Sequence, residues 1–338
     1  MSRTYQGGFI TKSPITPAGP YQCGAASGVW TIDQMVGWQK AGLWPIAGNS
    51  FIGAVGIFAL GYANPVSKVR NKYLFSSDVN SVATSSNSVS NGGAAAGNST
   101  AGIFALGIVS NKREKYTYSN CAVVSATASG CNSFGGTAAG NSTVGIFSLG
   151  TSNGSLCGAL TTREKYTYSG CSVSSATAAS TASLDGAAAG NSTVGIFALG
   201  ANSSGTPLST RNKYTYSGCT SVSGTSASSA SYYQSATGTS TVGIFALGYT
   251  SNNVTTRDKY TYSGDTNTSA TSATTASHAG AATGNSTVGI FALGCTGSAS
   301  SARDKYTYSG CVVSTGAAAS AASTGQSAAS NGTTGVNV

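Results

Sequence analysis

Histidine is almost absent from this chain of 338 residues, because His278 is the single one. One imidazole excludes most metal sites that are built on histidine ligands. His278 stands in a tract of Thr, Ser and Ala, which is typical of an exposed loop residue rather than of a catalytic base. The sequence therefore predicts no metal, no cofactor and no catalytic residues.

Charge and long apolar runs are also scarce. Only 7% of the residues are charged, whereas 40% are hydrophobic, and disordered chains have the opposite balance. No apolar run reaches the length of about 18 residues that spans a membrane, and the start has no apolar segment of a secretory signal. We therefore expect a folded chain that is made in a cytoplasm and does not insert into membranes. Its eight cysteines are expected to be small buried thiols.

Acidic side chains are few, and most of them are placed by a repeat. Two carboxylates facing each other could hydrolyse a glycan. However, residues that recur at one repeat position are more typical of structure than of catalysis, so the sequence predicts no enzyme. The acids are Asp33, Asp78, Glu114, Glu164, Asp185, Asp258, Asp265 and Asp304.

Two motifs recur six times after residue 46. The motif Gly-Ile-Phe-(Ala/Ser)-Leu-Gly begins at 56, 102, 145, 195, 243 and 289, and Arg-x-Lys-Tyr follows each copy. Each period reads as four short strands: a run of tiny residues, an apolar strand, a Tyr-bearing strand and a Ser/Thr-rich strand. Four antiparallel strands per period of 40–50 residues predict a blade of a β-propeller. An open β-solenoid is the alternative.

The order of these strands resembles the kelch motif, although the Gly-Gly doublet and the outer-strand Trp of that motif are missing. The resemblance covers roughly 47–338 and implies an all-β, kelch-like propeller of six four-stranded blades. A seventh blade is the alternative, if Arg3-Thr4-Tyr5 supplies a strand. We expect the C-terminal segment 325–338 to close the ring.

Residues 1–46 differ in composition and contain all three Trp residues. The stretch TIDQMVGWQKAG predicts a short amphipathic helix over 31–41. The surrounding segment is similar to N-termini of bacteriophage tail proteins, which implies docking to other virion structural proteins. The alternative is that the helix caps the propeller. The predicted docking residues are Trp30, Ile32, Met35, Val36, Trp38, Leu43 and Trp44.

Most of the cations also follow the repeat, and two interpretations stay open. The first is a cationic rim that binds anionic host polysaccharide or lipopolysaccharide; the second is pairing with Glu114, Glu164, Asp258 or Asp304 of an adjacent blade. Nucleic-acid binding is not predicted, since no basic patch is interleaved with exposed aromatics. The cations concerned are Arg70, Lys72, Arg113, Lys115, Arg163, Lys165, Arg211, Lys213, Arg257, Lys259, Arg303 and Lys305.

These resemblances imply a structural protein of a bacteriophage virion, present in several copies per particle. Its expected role is host attachment, as a tail or fibre component that binds surface glycans. The loops after each apolar strand vary while the strands are nearly copied, which suits recognition. The alternatives are a capsid decoration or spacer protein, a non-virion kelch-like adaptor, and a glycan-active enzyme. The variable loops are 62–69, 108–112, 151–162, 201–210, 249–256 and 295–302.

Overall fold

The computed structural model describes residues 31–40, 54–155 and 158–332. The first of these ranges contains the helix Ile32–Lys40. The backbone N–H of Gln34 donates to Thr31 Oγ1 at 3.2 Å, and the N–H of Thr31 donates to Gln34 Oε1 at 3.0 Å. This reciprocal cap satisfies donors that a helix start leaves unpaired. Within the described ranges, no helix has the length and apolarity needed to cross a membrane.

The residues from 54 onward form six antiparallel sheets of four strands each, which confirms the predicted all-β propeller with six blades. A short additional sheet pairs Ser183–Leu184 with Ala201–Asn202. From the axis outward, the strands of blade 1 are Ser327–Ser330, Val55–Ala59, Arg70–Leu74 and Val79–Ala83, and those of blade 2 are Ala94–Gly97, Ala101–Ala105, Arg113–Thr117 and Ala122–Ala126. Blade 3 has Thr137–Gly140, Val144–Ser148, Arg163–Thr167 and Ser172–Ala176, and blade 4 has Ala187–Gly190, Val194–Ala198, Arg211–Thr215 and Thr220–Gly224. Blade 5 has Ser235–Gly238, Val242–Ala246, Arg257–Thr261 and Thr266–Ala270, and blade 6 has Ala281–Gly284, Val288–Ala292, Arg303–Thr307 and Val312–Gly316.

The inner strands contact one another in a closed circle. The C-terminal strand Ser327–Ser330 contacts the inner strands of both blade 2 and blade 6, so the ring closes with six blades and the seven-blade alternative is wrong. The same strand pairs antiparallel with Val55–Ala59, with Ala329 opposite Ile57. Blade 1 thus joins the two ends of the repeat region. Residues 333–338 of the predicted closing segment lie outside the described residues.

Packing explains the composition of each strand type. The inner strands are fully buried and consist mainly of Ala, Gly, Ser and Thr, because six of them converge on the axis. The second strands are buried on both faces between blades, and in blade 4 neither Ile196 nor Phe197 has any exposed surface. Because successive side chains of a strand point to opposite faces, this strand has no polar side. The outer strands are largely exposed, which explains their Ser and Thr.

The GNST motif forms the turn between the inner and second strands and also links blades. In blade 4, Asn191 Oδ1 accepts the backbone N–H groups of Thr193 and Val194, both at 2.9 Å. Asn191 Nδ2 donates to the Ser240 carbonyl of blade 5 at 3.1 Å. In blade 1 the inner and second strands are not consecutive in the sequence, and Asn331 Oδ1 accepts the Val55 N–H at 2.7 Å. Asn331 therefore supplies at the start of the second strand a hydrogen bond like the one that the turn residue Asn191 supplies in blade 4.

The periodic cysteines stand in the turn before the outer strand. Cys171, Cys219 and Cys311 are half-buried free thiols, with φ angles of 47°, 49° and 50°. Cys121 shares the left-handed conformation but takes part in a disulfide. The expectation that the cysteines are all buried thiols is therefore wrong for Cys121.

Candidate functional site: an axial pocket

The arginines of the predicted cationic rim lie between blades and are at most 2% exposed. Each guanidinium stacks on a Phe of the following blade, as Arg113 does on Phe147 with 4.6 Å between its Cζ and the ring centroid. Arg113 Nη2 also donates to Glu164 Oε2 of that blade at 2.7 Å. The interblade alternative is therefore confirmed, and the arginine part of the exposed rim is wrong. Equivalent ion pairs join Arg70 to Glu114, Arg211 to Asp258 and Arg257 to Asp304, each at 2.8 Å.

Two interfaces replace the carboxylate by an amide. Asn212 Oδ1 accepts from Arg163 Nη2 at 3.0 Å, and Asn71 Oδ1 accepts from Arg303 Nη2 at 3.4 Å. Burial without a carboxylate lowers the pKa of Arg163 and of Arg303 to about 10. A neutral acceptor compensates the buried charge less than a carboxylate does, so these are the weaker interfaces of the ring.

The lysines of the predicted rim are largely covered as well. Lys72 is buried, and Lys115, Lys165, Lys213, Lys259 and Lys305 are half-buried. Two of them reach the turn of the following blade: Lys305 Nζ lies 3.4 Å from Asp78 Oδ2, and Lys165 Nζ lies 3.9 Å from Cys219 Sγ. Ligand binding by the lysines stays a prediction.

Few of the predicted docking residues can be placed. Ile32 is 75% exposed on the helix, and Val36 is half-buried. The side chains of Met35 and Trp38, together with Trp30, Leu43 and Trp44, lie outside the described residues.

A pocket of about 300 Å³ opens on the propeller axis and receives residues from all six blades. Its walls are the segments that immediately precede the inner strands. The six equivalent positions in these segments share a left-handed backbone, with φ angles between 53° and 62°. We call them the axial ring, and they are Gly92, Gly135, Asp185, Tyr233, Ala279 and Gly325.

Backbone hydrogen bonds run around the axial ring from blade to blade. Gly135 donates to the Gly92 carbonyl at 2.8 Å, and Asp185 donates to the Gly135 carbonyl at 2.7 Å. Ala279 likewise donates to the Tyr233 carbonyl at 3.0 Å. Between blades 4 and 5 the donor is the neighbouring Gln234 N–H, at 3.4 Å from the Asp185 carbonyl. The ring therefore holds the pocket walls in fixed positions through the backbone alone.

Three members of the axial ring are not glycine, although a left-handed backbone favours glycine. The conformation costs a residue with a side chain roughly 1–2 kcal/mol. Since the repeat offers glycine at this position in the other three blades, Asp185, Tyr233 and Ala279 bear a conformational cost that the scaffold does not require. We infer that Asp185 and Tyr233 stand at these positions because their side chains contribute to the pocket.

Asp185 is the carboxylate of the pocket. It lies partly accessible from the pocket, yet the surrounding protein excludes enough water to raise its pKa to about 7. A Cβ atom at Gly135 would lie only 2.5 Å from Asp185 Oδ1, so glycine at 135 makes room for this carboxylate. No Lys or Arg is among the residues that line the pocket.

Gln234 of blade 5 and Gln326 of blade 1 contribute buried amides to the pocket on either side of blade 6. They are 4% and 6% exposed. Gln234 Nε2 donates to the Ser231 carbonyl at 2.9 Å, and Gln326 Nε2 donates to the Ser323 carbonyl at 3.1 Å. Their Oε1 atoms have no hydrogen-bond partner in the part of the chain that the structure describes. A buried acceptor without a partner is costly and calls for an explanation, such as a bound ligand or water.

His278 lies at the pocket rather than in the exposed loop that the sequence predicts. Its Nδ1 lies 2.7 Å from Asn253 Oδ1, and Asn253 Nδ2 points to the Cys295 carbonyl at 3.4 Å. Because Asn253 Oδ1 can only accept, Nδ1 carries the proton and Nε2 is an acceptor. Burial lowers the pKa of His278, which favours this neutral form.

An aromatic cluster borders the same side of the pocket. The Tyr233 and His278 rings have centroids 5.4 Å apart, and Tyr232 lies 4.7 Å from Tyr233 and 5.3 Å from Tyr249. Tyr249 and Cys295 begin the variable loops of blades 5 and 6, and each pairs with the segment before an inner strand. The variable loops therefore reach the axis.

The sequence contained one signal for this site. Asp185 is the single acid after residue 46 that stands in neither the Arg-x-Lys element nor the periodic Cys position. The other polar side chains of the pocket, Gln234, His278 and Gln326, come from blades 5, 6 and 1, and no local sequence pattern shows that these residues meet. Within the described ranges, no group of three His, Cys, Asp or Glu side chains could hold a metal ion.

The strand topology places this chain in the class of six-bladed propellers, and comparison with known proteins goes no further than the fold. No protein-family model and no curated protein matches it. Among solved structures 376 chains match, and one of them is "Structure of YjhT", with a TM-score of 0.62 and 10% identity over 77% of this chain and 94% of that one. Such low identity shows the fold alone, so the kelch-like and bacteriophage resemblances stay predictions.

Proposed function

We propose that this chain is a bacteriophage virion protein whose propeller binds a glycan of the host surface in the axial pocket. Glycan binding rests on one observation above all: the pocket concentrates unpaired acceptors and aromatic rings where the repeat itself would place glycine. The virion assignment is carried by the similarity of the N-terminal segment to bacteriophage tail proteins.

The chemistry of the pocket suits a ligand with many hydroxyl groups. The Asp185 carboxylate can accept from a hydroxyl, and the lining residues Gln234 and Gln326 carry acceptor Oε1 atoms that have no partner in the described chain, although these atoms are themselves buried. Tyr233 and its neighbours offer amphipathic rings against which a sugar can pack. The volume lies at the lower end of the range of about 300–1,000 Å³ that is usual for ligand pockets, which suits the terminal unit of a glycan.

Binding is favoured over hydrolysis. Glycosidases use two carboxylates that flank the scissile bond. Asp185 is the one carboxylate among the residues that line the pocket, so the second member of such a pair is missing from its wall. We therefore propose recognition without catalysis.

A glycan array tests the pocket. Tyr233→Gly restores the glycine that the axial ring has in other blades and removes the aromatic ring, so we expect it to fold and to lose binding. Asp265→Asn, in the outer turn of blade 5, is the control and should bind as the wild type does. Unchanged binding by Tyr233→Gly would show that the pocket is not the glycan site.

Mass spectrometry of purified particles tests the virion assignment. We expect the chain in several copies per particle, together with other virion structural proteins. Its absence from particles would overturn this part of the proposal, whereas its presence without glycan binding would support the spacer or decoration alternative.

A further inference from the structure

Gln234, Gln326 and His278 each bring an acceptor atom to the axial pocket, beside the Tyr233 hydroxyl, which can donate or accept. Each glutamine Nε2 donates one of its two N–H groups to a backbone carbonyl, and the Oε1 atoms of Gln234 and Gln326 are acceptors without a partner in the described residues. His278 Nδ1 is used by Asn253, so its ring offers Nε2 as an acceptor. A ligand that matches this wall must therefore supply donors.

Charge adds a second restriction. Asp185 is the one Asp, Glu, Lys or Arg among the residues that line the pocket. An anionic sugar would meet this carboxylate and no compensating cation, which costs affinity. A cationic group would pair with the carboxylate and could also lie against the faces of the aromatic cluster.

We propose that the axial pocket selects a sugar that carries a protonated primary amine, such as an unacetylated hexosamine. The ammonium group pairs with Asp185, and the hydroxyl groups donate to the glutamine carbonyl oxygens. This selectivity rests on the proposed glycan-binding function and specifies it. It also reverses the preference for anionic glycans that the cationic rim predicts.

Calorimetric titration of the full chain with four probes tests the selectivity: glucosamine, N-acetylglucosamine, glucose and N-acetylneuraminic acid. Hydrogen bonds to charged groups are worth about 1.5–3 kcal/mol, which corresponds to roughly 10- to 150-fold in affinity. We therefore expect glucosamine to bind at least about tenfold more tightly than glucose or N-acetylglucosamine, and N-acetylneuraminic acid to bind least.

Two variants separate charge from shape. Asp185→Asn keeps a residue that tolerates the left-handed backbone and should reduce the ratio of glucosamine to glucose affinity to about one. Gln326→Leu removes an orphan acceptor and should weaken both sugars by a similar factor, so that the ratio persists. Asp265→Asn is the matched control: Asp265 also has a left-handed backbone (φ 50°) but lies outside the pocket, so this variant should leave the ratio of glucosamine to glucose affinity unchanged. Melting curves of each variant verify folding.

The possible outcomes are distinguishable. Equal affinity for glucosamine and glucose, or a preference that persists in Asp185→Asn, would overturn amine selectivity and leave glycan binding intact. Tighter binding of N-acetylneuraminic acid would do the same. If none of the sugars binds and the glycan array is also blank, the proposed glycan-binding function fails together with this inference.

Discussion

Asn212→Asp should stabilise the propeller, because it gives Arg163 the carboxylate that four of the other interblade arginines already have. The side chain is nearly isosteric, and its surroundings are prepared for a charge. Ser180 donates its backbone N–H to Asn212 Oδ1 at 3.0 Å. In the equivalent place of blade 5, Asp258 accepts both the N–H and the hydroxyl of Ser228, at 2.9 and 2.6 Å.

The magnitude follows from the difference between the two kinds of bond. A neutral hydrogen bond contributes about 0.5–1.5 kcal/mol and one to a charged group about 1.5–3 kcal/mol. Desolvation of the new carboxylate offsets part of the gain. We expect a net stabilisation of about 1 kcal/mol, which raises Tm by roughly 1–2 °C in a chain of 338 residues. The pKa of Arg163, lowered to about 10 in the wild type, should rise.

Scanning calorimetry and guanidinium denaturation measure the effect, and the reverse change serves as the matched control. Asp258→Asn converts the Arg211 interface to the amide form and should lower the unfolding free energy by about 1–3 kcal/mol. If Asn212→Asp leaves Tm unchanged or lowers it, desolvation outweighs the charge pairing, and our ranking of the interfaces is wrong.

Three further predictions concern pH and ring closure. Asp185→Asn should raise Tm more at about pH 8 than at about pH 5. Burial raises the folded-state pKa of Asp185 to about 7, above the ordinary 3.8, so ionisation of this desolvated carboxyl costs stability as pH rises. An equal gain at both pH values would contradict this. Alkali should unfold the protein between about pH 10 and 12, because burial raises the pKa of Tyr116 and of Tyr214 to about 12, so these tyrosines ionise at lower pH in the unfolded chain than in the folded one. Circular dichroism and phenolate absorbance should therefore change together. Phenolate formation before unfolding would refute this prediction. Removing 327–338 should lower Tm by roughly 5–10 °C, because loss of the inner strand of blade 1 costs several kcal/mol. An unchanged melting curve would show that this strand does not close the ring.

The sequence predicted the scaffold because the scaffold is periodic. The Gly-Ile-Phe-Ala-Leu-Gly strand, the Arg-x-Lys-Tyr strand and the GNST turn recur with the same local chemistry, and period length and strand quality together define a blade. The interblade role of the arginines was also open to prediction, since a charged position copied six times on a ring has the same neighbour each time.

The site was not predictable in the same way, because it consists of the positions where the repeat is broken. His278 stands in a tract that reads as loop, yet the closed ring brings that tract to the axis beside Tyr233. The left-handed backbone of Asp185 depends on the axial ring and leaves no mark in the local sequence. Single-residue departures have meaning only once the six blades can be superposed.

The arginine contacts all run in one rotational direction, from each third strand to the following blade. A blade therefore presents an arginine on one side and its phenylalanine acceptor on the other, and this contact is the same at all six interfaces. Gene rearrangement that exchanges one blade for another would keep this Arg–Phe contact while permuting which side chains stand around the axis. Because residues of all six blades line the axial pocket, ligand preference depends on the order of the blades as well as on point mutations. A changed blade order would give a different pocket from the same set of residues.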